Sequence, residues 1–190
     1  MNGHLEFSQS SDPGFQCAPD SRPERFDQVL VDDDRRWLTL AVALSRRCPA
    51  SSSAFSVGAV VVDTDGGEIS RGYSRETDAR VHAEEVALAR VPLDGRPLDG
   101  ATLYSSLEPC SRRKSRTLAC TDLVLAAGIS RVVIAWREPP IFVPRCDGVE
   151  RLRAAGIAVV EAPELAAEAA AVNAHLVGSA PPGSVPPTQR

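Results

Sequence analysis

At 190 residues and a net charge of −4, the chain has room for one compact domain with a substantial core, not for two. Apolar residues at 43% and charged residues at 24% are ordinary for a globular protein, and no apolar run approaches the roughly 20 residues of a membrane span. The acidic balance argues against nucleic acid as the main partner. Segment 1–15 lacks the basic start and apolar core of a secretory signal, so a cytoplasmic location is expected.

Residues 1–32 mix Ser, Pro, Asp, Gln and Gly and read as a flexible leader, with Cys17 an incidental thiol. Asp32-Asp33-Asp34 places negative charge where a helix begins. The apolar stripe Trp37, Leu38, Leu40, Ala41, Val42 and Leu44 predicts a helix over Asp34 to Arg47, ended by Pro49, with Cys48 a buried thiol. Phe55 to Asp63 reads as a strand and Asp65-Gly66-Gly67 as a turn, with Glu68 to Arg75 pairing back as a hairpin. The loop Glu76 to Val81 leads into a helix from His82 to about Arg90, and Pro92 to Gly100 is a turn-rich connection.

Ala101 to Leu107 reads as a buried strand aimed at Pro109-Cys110. Cys110 to Ala119 is a polar loop, and Cys120 opens a helix to Ala127 that Gly128 stops. Arg131 to Trp136 is a strand, Gly148 to Ala155 a helix, Ile157 to Val160 the last strand and Glu164 to Val177 the closing helix. A helical crossover between the last two strands makes that pair parallel. The domain thus runs over 33–177, and the Pro-rich segment 178–190 reads as a disordered tail.

The chemistry gathers on His82, Glu84, Cys110 and Cys120. A histidine and two cysteines supply three zinc ligands, and a carboxylate two residues after the histidine is left over as an unbound acid. A catalytic zinc needs that set: three protein ligands, a fourth position for water and a general acid/base beside it. Zinc lowers the pKa of its water from 15.7 to about 7, and an unbound carboxylate such as Glu84 beside it can take up that proton and pass it on. Glu85 competes for the role of base but lies one residue late. If Cys48 or Cys146 supplied a fourth ligand, the site would be structural and non-catalytic.

His82-Ala83-Glu84, Pro109-Cys110 and Cys120 resemble the H-x-E … P-C-x-x-C signature of zinc deaminases, with nine residues instead of two between the cysteines. From about Arg35 to Val177 the chain is similar to the cytidine-deaminase-like superfamily. Leu107-Glu108-Pro109-Cys110-Ser111 and the long loop to Cys120 most resemble the pyrimidine deaminases of riboflavin biosynthesis, beside the deoxycytidylate deaminases.

The resemblance implies a three-layer α/β/α fold around a five-stranded mixed sheet whose last strands are parallel. It further implies Zn2+ on His82, Cys110 and Cys120 and Glu84 as the catalytic acid/base; Phe55 is open between the floor of the base pocket and an ordinary core aromatic, and the oligomeric state is open, a homodimer being common among relatives. Because both ends of the 111–119 loop are held at the metal, Arg112, Arg113, Lys114 and Arg116 must lie near the mouth, where guanidinium groups suit a phosphate.

Relatives carry Asn-Pro where this chain has Phe55-Ser56, and a histidine where it has Ser74-Arg75-Glu76. The substrate therefore stays open between a diaminopyrimidine phosphate and a cytosine nucleotide, a nucleoside or a specialised metabolite. A nucleic-acid-editing deaminase is disfavoured by the acidic charge and by aromatics at 5%.

Overall fold

The computed structural model describes residues 30–92 and 98–177. The expected tail, and the expected leader apart from its last three residues, lie outside the described residues.

Helix α1 spans Asp32–Ser45, starting two residues before the predicted Asp34 and stopping two before Arg47. Its start is set locally: the Asp34 carboxylate accepts the Val31 N–H at 2.8 Å, satisfying a donor that the first turn leaves without a partner. Trp37, Leu38, Ala41, Val42 and Leu44 are buried on one stripe. Strands β1 (Gly58–Val62) and β2 (Glu68–Tyr73) form the expected antiparallel hairpin. Strand β3 (Thr102–Ser105) pairs antiparallel with β1; β4 (Arg131–Ile134) and β5 (Ala158–Glu161) follow in parallel. The sheet order is β2-β1-β3-β4-β5.

The strands alternate cleanly between two cores. Val60, Val62, Tyr104, Val133 and Val160 face α1 and the closing helical segment. Ala59, Val61, Leu103, Val132, Ile134 and Val159 face the other way, towards α2 (Ala83–Ala89), α3 (Cys120–Ala127) and α4 (Gly148–Ala154). Helices thus cover both faces, and the fold is the three-layer α/β/α arrangement expected.

Strands β2, β3 and β4 each end two residues before the expected bound, and two further elements differ from the sequence expectation for identifiable physical reasons. β1 is shorter than Phe55–Asp63 because the backbone of Ser56 leaves the ladder and pairs with a side chain. Its N–H donates to Asn173 Oδ1 at 2.7 Å, and its carbonyl accepts from Asn173 Nδ2 at 3.1 Å. The same asparagine interrupts the predicted helix Glu164–Val177. That segment is a 3-10 turn (Pro163–Leu165), α5 (Ala166–Val172) and α6 (Ala174–Val177), with Asn173 buried at the break. Gly58 opens β1 because α1 crosses there: a Cβ would stand 2.1 Å from the Ala41 carbonyl oxygen.

Beneath the sheet edge, Asp34 is almost wholly buried. Arg131 grips it in bidentate fashion at 2.7 and 2.8 Å, and Tyr104 Oη donates to it at 2.8 Å. The guanidinium and the hydrogen bonds outweigh the burial that opposes ionisation, so the carboxyl is held below its ordinary range.

Candidate metal centre and active site

β3 and β4 run side by side and deliver their carboxyl ends to one edge of the molecule. Residues 106–110 follow the first, residues 135–144 the second, and the two segments are tied by the Glu108 N–H donating to the Trp136 carbonyl at 2.8 Å. The buried Glu108 carboxylate accepts the backbone N–H groups of Val149 (3.0 Å) and Glu138 (3.2 Å). The turn before Cys110 is therefore braced from α4. Gly148 makes that approach possible, since a Cβ there would meet the Pro109 carbonyl oxygen at 2.1 Å.

Three donors meet at this edge. His82 is the extended residue capping the start of α2, Cys110 lies in the braced turn, and Cys120 is the first residue of α3. Their ligand atoms all lie within 4.8 Å of one another. His82 Nδ1 is 3.6 Å from Cys110 Sγ and 3.4 Å from Cys120 Sγ, and the Cys120 N–H donates to Cys110 Sγ at 3.4 Å. The thiols share a proton unequally. The Cys120 hydrogen bond draws Cys110 down to about 4, while the same bond and burial push Cys120 up. Two cysteine sulfurs and an imidazole this close are soft and borderline donors of the kind zinc takes, the sulfurs binding as thiolates.

No other described residue joins them. Cys48 Sγ instead donates to the Val57 carbonyl at 3.4 Å, and Cys146 Sγ lies 3.9 Å from the Pro109 carbonyl. The three-donor set has no fourth protein ligand among the described residues.

Glu84, two residues into α2, is buried, and Ser105 Oγ donates to its Oε1 at 2.9 Å. Burial pushes its carboxyl above the usual range. It lines the same cavity as His82 and Cys110, a space of about 750 Å³, within the range of small-molecule sites. Glu85 is turned to another use: it forms ion pairs with Arg113 (2.9 Å) and Arg116 (3.2 Å), and Arg116 also pairs with Asp78 at 2.6 Å. Two of the four basic residues of the 111–119 loop thus pin the loop to the start of α2. The Arg113 side chain is only 4% exposed. Arg112 and Lys114 are exposed at the cavity wall and enter no ion pair among the described residues.

Phe55 lines the cavity with its ring edge-on to Phe142 (5.0 Å between centroids) and to Trp136 (5.9 Å). Among the lining residues that the sequence did not assign to the site are Glu138 and Arg75. Glu138, half-buried, has its carboxyl pushed up to about 7 by burial; its only signal was its place just beyond a predicted strand. Arg75, in the turn before α2, is the single non-glycine residue with positive φ among those described, at 63°. A mixed sheet layered between helices carries at its edge a His-Cys-Cys group able to hold a metal, with a buried glutamate beside it.

The sequence profile of the "Cytidine and deoxycytidylate deaminase zinc-binding region" matches residues 31–136, and the chain belongs to that family. Among its relatives is the diaminohydroxyphosphoribosylamino-pyrimidine deaminase of Schizosaccharomyces pombe, 43% identical over 127 residues, covering 66% of this chain and 31% of that protein. Among solved structures, the deaminase/reductase of Thermotoga maritima superposes with a TM-score of 0.61 at 34% identity, over 74% of this chain and 39% of that one. The Aspergillus oryzae Rib2 deaminase in complex with DARIPP superposes at 0.56 with 25% identity, over 67% and 82%. The chain spans about a third of the length of the curated relatives it matches. No helix among the described residues is long and apolar enough to cross a membrane.

Proposed function

We propose that this chain is a hydrolytic deaminase that exchanges an exocyclic amine of an aminopyrimidine for oxygen, with a phosphorylated diaminopyrimidine of the riboflavin pathway as substrate. The observation that carries the reading is Glu84, a buried carboxyl lining one cavity with His82 and Cys110. His82, Cys110 and Cys120 would hold zinc, which when bound supplies Lewis-acid activation of water, lowering its pKa to about 7.

The rest of the chemistry falls to the chain's own groups. Glu84 takes a proton from the water as its oxygen adds to the ring carbon, and delivers it to the ring nitrogen. It then takes the second proton from the hydroxyl now on the ring carbon and passes it to the amine; the C–N bond breaks, ammonia leaves and a carbonyl remains. A carboxyl whose proton affinity is raised by burial suits this two-way transfer. The Ser105 hydroxyl fixes which way the carboxylate faces.

Phe55 and Phe142 offer an apolar wall to the ring, and Glu138 a carboxyl to its N–H or amine donors. We assign the phosphate to Arg112 and Lys114, because the Arg113 guanidinium is already spent on Glu85. The acidic net charge supports a small-molecule partner over a polyanion, and the free thiols support a cytoplasmic setting.

The test is ammonia release from aminopyrimidine and cytosine nucleotides, each with and without phosphate. Glu84→Gln should keep zinc and fold and lose about 10²–10⁴ in turnover. Ammonia from none of the compounds by the zinc-loaded chain would sink the reading. Turnover of cytosine nucleotides alone would reassign the base, and an active Glu84→Gln beside an inactive Glu85→Gln would reassign the proton carrier.

A further inference from the structure

Arg75 is built into the site in an unusual way. Its φ of 63° is a conformation that side chains other than glycine, Asn and Asp rarely adopt. Its side chain is half-buried, and its N–H contacts all go to neutral oxygens. Nε donates to the Pro49 carbonyl at 2.9 Å; Nη1 donates to the carbonyls of Phe55 (2.9 Å) and, at 3.4 Å, Ala54. Nη2 donates to the Pro49 carbonyl at 2.8 Å and to Ser56 Oγ at 2.9 Å. No carboxylate pairs with it among the described residues, and burial lowers its proton affinity. Its backbone N–H meanwhile donates at 2.9 Å to the carbonyl of Val81, the residue before His82.

A cation half-withdrawn from water without a counter-charge is costly, and a rare backbone angle adds to the cost. Neither is required by the sheet, because β2 has already ended at Tyr73. What the arrangement does accomplish is local. One residue joins the segment entering His82 to the segment that carries Phe55, and both line the cavity.

We propose that Arg75 is a positioning residue for the substrate ring. By clamping residues 49–56 against the approach to His82, it fixes the gap between the Phe55 wall and the metal-side histidine. The planar fork of a guanidinium suits this task. It can hold several carbonyls in one plane, whereas a lysine ammonium on the same stem cannot. The kinetic part of the proposal rests on the deaminase reading; the clamp itself does not.

The experiment compares zinc-loaded wild type with Arg75→Ala and Arg75→Lys. Hydrogen exchange over residues 50–57 should quicken in both variants and stay unchanged over β3 and β4. Guanidinium ion, far below denaturing concentration, should slow it again in Arg75→Ala but not in Arg75→Lys, whose stem still fills the space.

For turnover, KM should rise by about tenfold or more while kcat stays within about threefold, since Glu84 and the three metal-side donors are untouched and only ring placement is loosened. Unchanged exchange over 50–57 would overturn the clamp. Loss of kcat at unchanged KM, or an unchanged KM with a loosened segment, would overturn the role in placing substrate. A wild-type chain that deaminates nothing would defeat the deaminase reading, and the clamp would then be decided by exchange alone.

Discussion

Replacing Arg112 and Lys114 together with alanine isolates the phosphate contact from the architecture of the loop that presents it. Both side chains are exposed at the cavity wall and take part in no ion pair among the described residues, so their removal leaves no buried charge behind. A charge-assisted hydrogen bond contributes about 1.5–3 kcal/mol, which is about 10- to 150-fold in affinity. KM for a phosphorylated aminopyrimidine should rise by a factor in that range, and the dephosphorylated compound should be handled as by wild type.

Arg113→Ala is the control that fails differently. Its side chain is 4% exposed and pairs with a Glu85 that is 25% exposed. Breaking a buried pair costs about 3–5 kcal/mol. Here the figure falls to about 1–3 kcal/mol, because Glu85 is partly solvated and keeps Arg116 at 3.2 Å. That loss should appear as a lower melting temperature and as poorer turnover of both substrates alike. Steady-state kinetics on the phosphate-matched pair, together with thermal denaturation, read both effects. If Arg112→Ala/Lys114→Ala slowed both compounds equally, or if Arg113→Ala selectively harmed the phosphorylated one, the division between clamp and anchor would be wrong.

Two further outcomes follow from the geometry. Metal analysis should find zinc lost from Cys110→Ala and Cys120→Ala and retained by Cys48→Ala and Cys146→Ala; retention in either of the first pair would remove that ligand. Asp34→Asn should destabilise the protein by about 3 kcal/mol at neutral pH, as Arg131 loses its buried carboxylate. Because the Asp34 pKa is depressed on folding, its contribution is present above the ordinary carboxyl range and is lost as pH falls through the lower folded value. The gap between wild type and variant in denaturant titrations should therefore close only in strong acid; a gap closing near neutrality would contradict the assignment.

Local periodicity carried most of the fold. The β-branched run through Val60-Val61-Val62 and the apolar stripe from Trp37 to Leu44 signal their own burial. Cys120 at a helix start and Gly128 at its end bound α3 as expected, from Cys120 to Ala127. The metal-side donors were legible for another reason: their chemistry narrows the choice of residue type, even though 28 and 38 residues separate His82 from the two cysteines.

What could not be read were partnerships between distant residues whose types signal no shared chemistry. Asn173 looks like an interruption in an alanine-rich helix until it meets Ser56, 117 residues away. Arg113 looks like its neighbours in a basic loop until it meets Glu85. Arg75 carries no sign in the sequence of its left-handed backbone, and Glu138 belongs to the cavity only because β4 runs parallel to β3.

That parallel pairing has an evolutionary consequence. Cys120 and the buried Glu84 sit in the opening turns of α3 and α2, and His82 caps the latter; both helices are packed on the sheet. The surfaces that would sort one substrate from another are the stretches 49–56, 74–81, 111–119 and 137–147, none of which contributes a strand. Such stretches can change length and composition at little expense to the core. A lineage could therefore exchange its substrate by rewriting these four loops while inheriting its reaction intact.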